Sequence, residues 1–245
     1  NKELVFKKLY TEWGIFLREQ EKYQLAEEKL REVMDIDEED VKSRTELGKL
    51  LSRHGGSKRK EEAEKLFRQV IDDLDKENVP ARTELGMLLA GKREWAADIE
   101  AEELFKNAIE IDPYNLPPHT ELGRLLERKE RYAEAEYYLR EAMDIDPNHV
   151  QSRTVLGRIL GKEERLDEAE KVLREAIKKS ESSRDCRPKL ELGIVLTKKP
   201  GSEKEAKELL MEALTWEPEN RRVHSALKSL SKQKSRKNTG RKRRR

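Results

Sequence analysis

Four histidines, one cysteine and one glycine pair are the residues whose types could support reactive chemistry. His54, His119, His149 and His224 would act as metal ligands or general bases, yet no two stand at His-x-x-x-His spacing and no cysteine cluster accompanies them. They read as ordinary surface histidines, His149 in a turn between helices and His54 in a loop. Cys186 lies close to Arg184 and Arg187, cations of the kind that activate a thiol. With no histidine to partner it, it reads as a small packing residue, and as the single cysteine it excludes an internal disulfide. Gly55-Gly56 lacks the Gly-Lys-Ser/Thr continuation of a phosphate-binding loop. The expectation is a protein with no catalytic residues, no metal and no cofactor.

Charge is the other chemistry on offer. Net charge is +2, but the last fourteen residues carry nine Lys/Arg and no acid, which leaves the rest of the chain at about −7. This tail, 232–245, includes Arg236, Lys237, Arg241, Lys242, Arg243, Arg244 and Arg245 and holds no apolar residue to support folding of its own. A like-charge run of this kind suits RNA or DNA phosphates, an import receptor or an acidic lipid surface.

The elements that must position these residues are helical. Charged residues make up 42% of the chain and aromatics 5%, too little apolar surface for one thick core. A thin seam repeated along an array needs less. Thr45-Glu46-Leu47-Gly48 returns as Thr83-Glu84-Leu85-Gly86, Thr120-Glu121-Leu122-Gly123 and Thr154-Val155-Leu156-Gly157, and more loosely as Leu190-Glu191-Leu192-Gly193. With Trp13-Gly14 this makes six copies, and the glycines are spaced 34, 38, 37, 34 and 36 apart. Each glycine is followed by Ala26, Ala63, Ala101, Ala135, Ala169 or Ala206. Four residues later come Leu30, Phe67, Phe105, Leu139, Leu173 or Leu210, one face of a second helix. Pro113, Pro147 and Pro218 mark three of the turns that follow. A glycine inside a helix costs about 1 kcal/mol relative to alanine, so its recurrence predicts close approach of the second helix through its small Ala.

This pattern resembles the tetratricopeptide repeat family. The resemblance implies an all-α, right-handed α-solenoid of about six antiparallel helix-turn-helix repeats over 1–231. The repeats fall near 7–40, 41–78, 79–115, 116–149, 150–185 and 186–219, with a capping helix over 221–231. Trp13 departs from the usual Leu, and repeats two and three carry about three extra residues between their helices. The chain opens on Asn1, so its native start is expected upstream.

In that family the first helix of each repeat lines a concave groove. Carried onto this sequence, the groove positions are Thr45, Lys49, Arg53, Thr83, Thr120, Arg124, Arg128, Thr154, Arg158, Lys162 and Lys198: a threonine ladder among basic residues. The Lys and Asn with which some members hold a chaperone's C-terminal carboxylate are absent from the matching positions. Arg44, Arg82, Arg153 and Lys189, just before the threonines, read as filler whose stems pack between helices. The expected function is a non-catalytic adaptor that takes a peptide or helix of a protein partner, acidic by complementarity. The alternative is an RNA-associated protein that uses the tail and groove. No run approaches the length of a membrane span, and an intracellular setting is expected, with cytoplasm and nucleus equally open.

Overall fold

The computed structural model describes residues 2–180 and 185–242, with side chains described for 4–180 and 185–232. Among the described residues there are thirteen α-helices and no strands. They are α1 (Lys2–Glu19), α2 (Tyr23–Ile36), α3 (Val41–His54), α4 (Ser57–Gln69), α5 (Val79–Lys92), α6 (Trp95–Ile111), α7 (Leu116–Arg128), α8 (Tyr132–Ile145), α9 (Val150–Lys162), α10 (Leu166–Lys179), α11 (Arg187–Thr197), α12 (Glu203–Trp216) and α13 (Arg221–Lys242). Helices α3, α5, α7, α9 and α11 carry the Leu-Gly pair, α1 carries Trp13-Gly14, and even-numbered helices carry the Ala, giving six hairpins followed by one further helix. The chain forms two compact units, Asn1–Glu121 and Leu122–Arg245. Within each, an odd helix packs on its own partner, on the even helix before it and on the neighbouring odd helix.

The recurring glycine is explained by its neighbour in the hairpin. A Cβ at Gly14, Gly48, Gly86, Gly123, Gly157 or Gly193 would lie under 3 Å from the side chain of Leu30, Phe67, Phe105, Leu139, Leu173 or Leu210, respectively. The close approach is therefore made by the large residue four positions after the alanine. The alanine itself contributes only a carbonyl, at 3.4 Å from such a Cβ in the hairpins of Gly14, Gly123 and Gly193. All six of these large side chains are fully buried or nearly so.

Turns between hairpins are built by a side chain that the proline pattern does not reveal. Asp37, Asp75, Asp112 and Asp146 each accept from the backbone N–H two residues on, at 2.8 to 3.2 Å. Asp40 and Asn78 then cap α3 and α5, accepting from the N–H of Ser43 at 2.7 Å and of Ala81 at 2.9 Å. The extra residues of repeats two and three do not lengthen a loop. Helices α4 and α6 begin six residues before their alanine, where α2, α8, α10 and α12 begin three before. One more residue in repeat two is absorbed by a single π-helical turn, Val70–Leu74, closed by the Asp75 N–H on the Val70 carbonyl at 2.7 Å.

The last helix departs from the expected boundary at 231. The backbone of α13 stays helical through Lys242 and includes positions 236, 237, 241 and 242 of the basic tail. Val223 and Leu230 anchor its start in the core, and an established helix extends more readily than it nucleates. Arg243, Arg244 and Arg245 lie outside the described residues.

Candidate functional site: the odd-helix face

The threonine ladder is buried in the seam between helices. Thr45, Thr83, Thr120 and Thr154 are buried, and each hydroxyl donates to the carbonyl four residues back: Val41, Val79, Leu116 and Val150, at 2.7 to 3.3 Å. A short β-branched alcohol three residues before the glycine points into the seam between helices, and bonding its own helix is the cheapest way to bury it. Thr11 occupies the same position in α1 and behaves alike, donating to the Lys7 carbonyl at 2.8 Å and lying 2.7 Å from the Ser43 hydroxyl. Sequence reading missed it because Trp13 interrupts the motif.

The basic residues reach the surface, but most meet carboxylates supplied by adjacent repeats. In the first unit Lys49 donates to Glu46 at 2.8 Å, and Arg53 to the buried Glu84 at 2.6 Å. Burial raises the Glu84 carboxyl above its ordinary range, against the pull of Arg53. Arg53 and Glu84 border a cleft of about 570 Å³ floored by Met87 and Leu88 and open beside Gly91.

The second unit gathers more charge. Arg158 of α9 clamps Glu127 of α7 at 2.6 and 2.8 Å and reaches Glu191 of α11 at 3.3 Å. Lys162 adds a bond to Glu127 at 2.8 Å, and Arg222 of α13 grips Glu191 at 2.6 and 2.7 Å. Burial alone would push the Glu127 carboxyl up, but Arg158 and Lys162 outweigh it and hold the group below the usual range. Lys198 is drawn aside to the Gly161 carbonyl and Glu164, at 2.7 and 2.6 Å. Arg124 and Arg128 are exposed.

These helices enclose a cleft of about 250 Å³. Of the expected groove residues, Arg124, Thr154 and Arg158 line it, whereas Arg128, Lys162 and Lys198 do not. Sequence reading missed Arg187, Arg222, Asn220 and Gln151 on its walls and Val155 and Leu190 on its floor. It also missed the buried glutamates. Their signal was present, since Glu84 and Glu191 belong to the repeated Glu-Leu-Gly triplet, but that triplet served only as a repeat marker.

The remaining candidates have structural surroundings. Arg44 donates to the Glu38 carbonyl and Arg82 to the Lys76 carbonyl, so these guanidiniums fasten turns. His149 caps α9, accepting from the Ser152 N–H at 3.4 Å, and His54 stacks on Tyr23 at 3.7 Å, at the end of α3 rather than in a loop. His119 is buried rather than on the surface, 3.0 Å from the Asn115 carbonyl. Burial raises the Cys186 thiol, and Arg187, which would lower it, is paired with Asp185 at 2.8 Å. Among the described residues no helix is long and apolar enough to cross a membrane.

Comparison with known proteins agrees with this geometry. A tetratricopeptide repeat family model matches residues 126–184. No curated protein matches the sequence. Among solved structures, PilF of Pseudomonas aeruginosa is 16% identical, with 92% of this chain and 98% of that chain covered and a TM-score of 0.78. YrrB, described as a TPR protein with an unusual peptide-binding site, is 22% identical, with 81% and 97% covered and a TM-score of 0.59. PilW, a type IV pilus biogenesis factor, is 16% identical, with 90% and 98% covered and a TM-score of 0.75. The family's repeat model is matched over residues 126–184, and the fold is shared with solved structures across up to 92% of the chain.

Proposed function

We propose that the chain is a non-catalytic scaffold that takes an acidic segment of a protein partner on the odd-helix face of its second unit. One observation carries the reading. Four arginines (Arg124, Arg158, Arg187 and Arg222) converge on one cleft whose described walls carry two carboxylates, Glu191 and Glu217. Arg158 and Arg222 are fixed by Glu191, so their guanidiniums are held in place before a ligand arrives, which lowers the entropy lost on binding. Val155 and Leu190 offer an apolar floor beside the charge, and Asn220 and Gln151 can bond a peptide backbone. Aspartate or glutamate next to an aliphatic residue fits this chemistry, because arginine forks match carboxylates in two-point contact. The unusual peptide-binding site of the structural neighbour YrrB is in keeping with such a use of the fold.

The test is fluorescence anisotropy with labelled peptides that alternate Glu and Leu. Arg124→Glu combined with Arg187→Glu leaves the clamps of Arg158 and Arg222 intact and is expected to weaken binding at least tenfold with unchanged helicity. Equal affinity for the double variant would place the site elsewhere.

A further inference from the structure

Glu46, Glu84, Glu127 and Glu191 stand on odd helices with side chains 12% exposed or less. Three of them hold two cations each. Glu46 accepts from Arg18 and, at 2.8 Å, from Lys49 of its own helix. Glu127 accepts from Arg158 and Lys162, and Glu191 from Arg158 and Arg222. Glu84 accepts from Arg53 alone, at 2.6 Å on Oε1. Among the described residues its Oε2 has no partner, and that oxygen is not sealed from solvent.

The repeat register shows what is missing. Glu46 and Lys49 stand at positions −2 and +1 from Gly48, and the same positions around Gly86 hold Glu84 and Met87. In repeats two to six, repeat three alone lacks Lys and Arg at both +1 and +5; Gly91 stands at +5, and a Cβ there would meet nothing within 4 Å. Two other cations border the cleft beside Glu84 without completing it. Lys92 donates to Glu64 at 2.8 Å, and Lys60, exposed on the rim, makes no bond to Glu84. The Lys49 charge reaches Glu84, but its ammonium donates to Glu46 instead. Burial accordingly raises the Glu84 carboxyl, whereas Glu127, similarly buried but doubly held, is lowered.

We propose that this cleft takes an arginine from a basic segment of a protein partner, its stem over Met87 and Leu88 and its guanidinium on Glu84 Oε2. The partner's arginine supplies to Glu84 the second cation that Lys49 supplies to Glu46. Met87 and Leu88 are half-buried, so the floor is open to an aliphatic stem. Arginine suits a buried carboxylate better than lysine does, because its guanidinium is more weakly hydrated than an ammonium. Glu61 and Glu94 at the mouth are exposed and, among the described residues, have no partner. Residues 1–121 carry 21 Lys/Arg against 29 Asp/Glu, and that excess draws cations toward this unit. At about 570 Å³ the cleft has room for the residues that flank the arginine. It is a second site, opposite in charge to the one proposed for the second unit.

Fluorescence anisotropy with a labelled peptide that alternates Arg and Leu, titrated with the full chain, tests this. Saturable binding is expected, with a Lys-Leu peptide roughly several-fold weaker. Glu84→Gln should weaken the Arg-Leu peptide at least about tenfold, because a desolvated charge pair is lost. Met87→Lys keeps Glu84 but supplies the missing cation from within the chain, and should weaken binding to a similar degree. Met87→Leu keeps the floor apolar and should bind within about twofold of the parent. Far-ultraviolet circular dichroism shows that each variant folds. No saturable binding at on the order of 100 μM chain overturns the proposal, and so does full affinity in Glu84→Gln or Met87→Lys. Equal loss in Met87→Leu and Met87→Lys would tie the effect to shape instead of charge and overturn it too. Equal binding of the Lys-Leu peptide would overturn the assignment to arginine. Neither substituted position lies in the second unit, so the outcome is independent of that for the Glu-Leu peptide.

Discussion

At the scale of single residues, two glycines of one helical motif make opposite demands. A Cβ at Gly48 would sit 2.5 Å from the ring of Phe67, which is fully buried and has no room to yield. Gly48→Ala is expected to destabilise the first unit by about 1–3 kcal/mol, read as a lower midpoint in urea unfolding. Gly91, near the end of α5, has nothing within 4 Å of such a Cβ. Gly91→Ala should therefore raise stability, by up to about 1 kcal/mol, through helix propensity alone. A third position runs the other way. Glu130 has φ 59°, left-handed backbone that costs a residue with a side chain about 1–2 kcal/mol. Glu130→Gly removes that strain at some entropic cost, and a gain of a few tenths to about 1 kcal/mol is expected in the same assay.

At the scale of elements, two buried glutamates on the odd helices should give opposite responses to pH. Glu127 is held below the usual carboxylate range by Arg158 and Lys162. Its contribution is complete above the unfolded pKa of about 4.3 and is lost as pH falls through the lower folded value. Glu84 is raised by burial, so its ionised form is a cost to the folded state. That cost is full above the raised pKa and disappears as pH falls toward the unfolded one. Glu127→Gln leaves Arg158 with Glu191 alone and should cost about 2–3 kcal/mol at neutral pH, with a flatter acid limb in urea midpoints. Glu84→Gln should be neutral or slightly stabilising at neutral pH, because it removes that cost and the half-exposed Arg53 leaves its charge to water. This scale also shows what could be read in advance. The six hairpins were legible because Leu-Gly, Ala and a large apolar residue recur at fixed spacing, and that spacing is a packing requirement. The site was legible only in part. Periodicity marks which face of a helix is turned inward, but Thr45 and Arg124 both lie within a few residues of their glycine, and one is buried and the other exposed. Pairs such as Arg158 with Glu127, thirty-one residues apart, depend on how neighbouring hairpins meet, and spacing within one repeat says nothing of that.

At the scale of the whole molecule, the chain joins an acidic array to a strongly basic end. The first 231 residues stand at about −7 and the last fourteen at +9, so the two parts should answer differently to salt and to partners. Binding of an acidic peptide by the second unit depends on a few fixed arginines beside an apolar floor, and moderate salt should weaken it only a little. Binding of single-stranded RNA by the basic end would depend on displaced counterions, so its affinity should fall by about 0.7 log units per log unit of salt for each phosphate contacted. A chain ending at Ser231 separates the two. It is expected to keep full affinity for the Glu-Leu peptide and to lose RNA retention, measured by filter binding across a salt series. Retention of RNA by the shortened chain would move phosphate contact onto the odd-helix face, where Glu127 and Glu191 already occupy arginines that phosphates would need. Loss of peptide binding on the same truncation would assign acidic recognition to the basic end and remove the argument for the cleft.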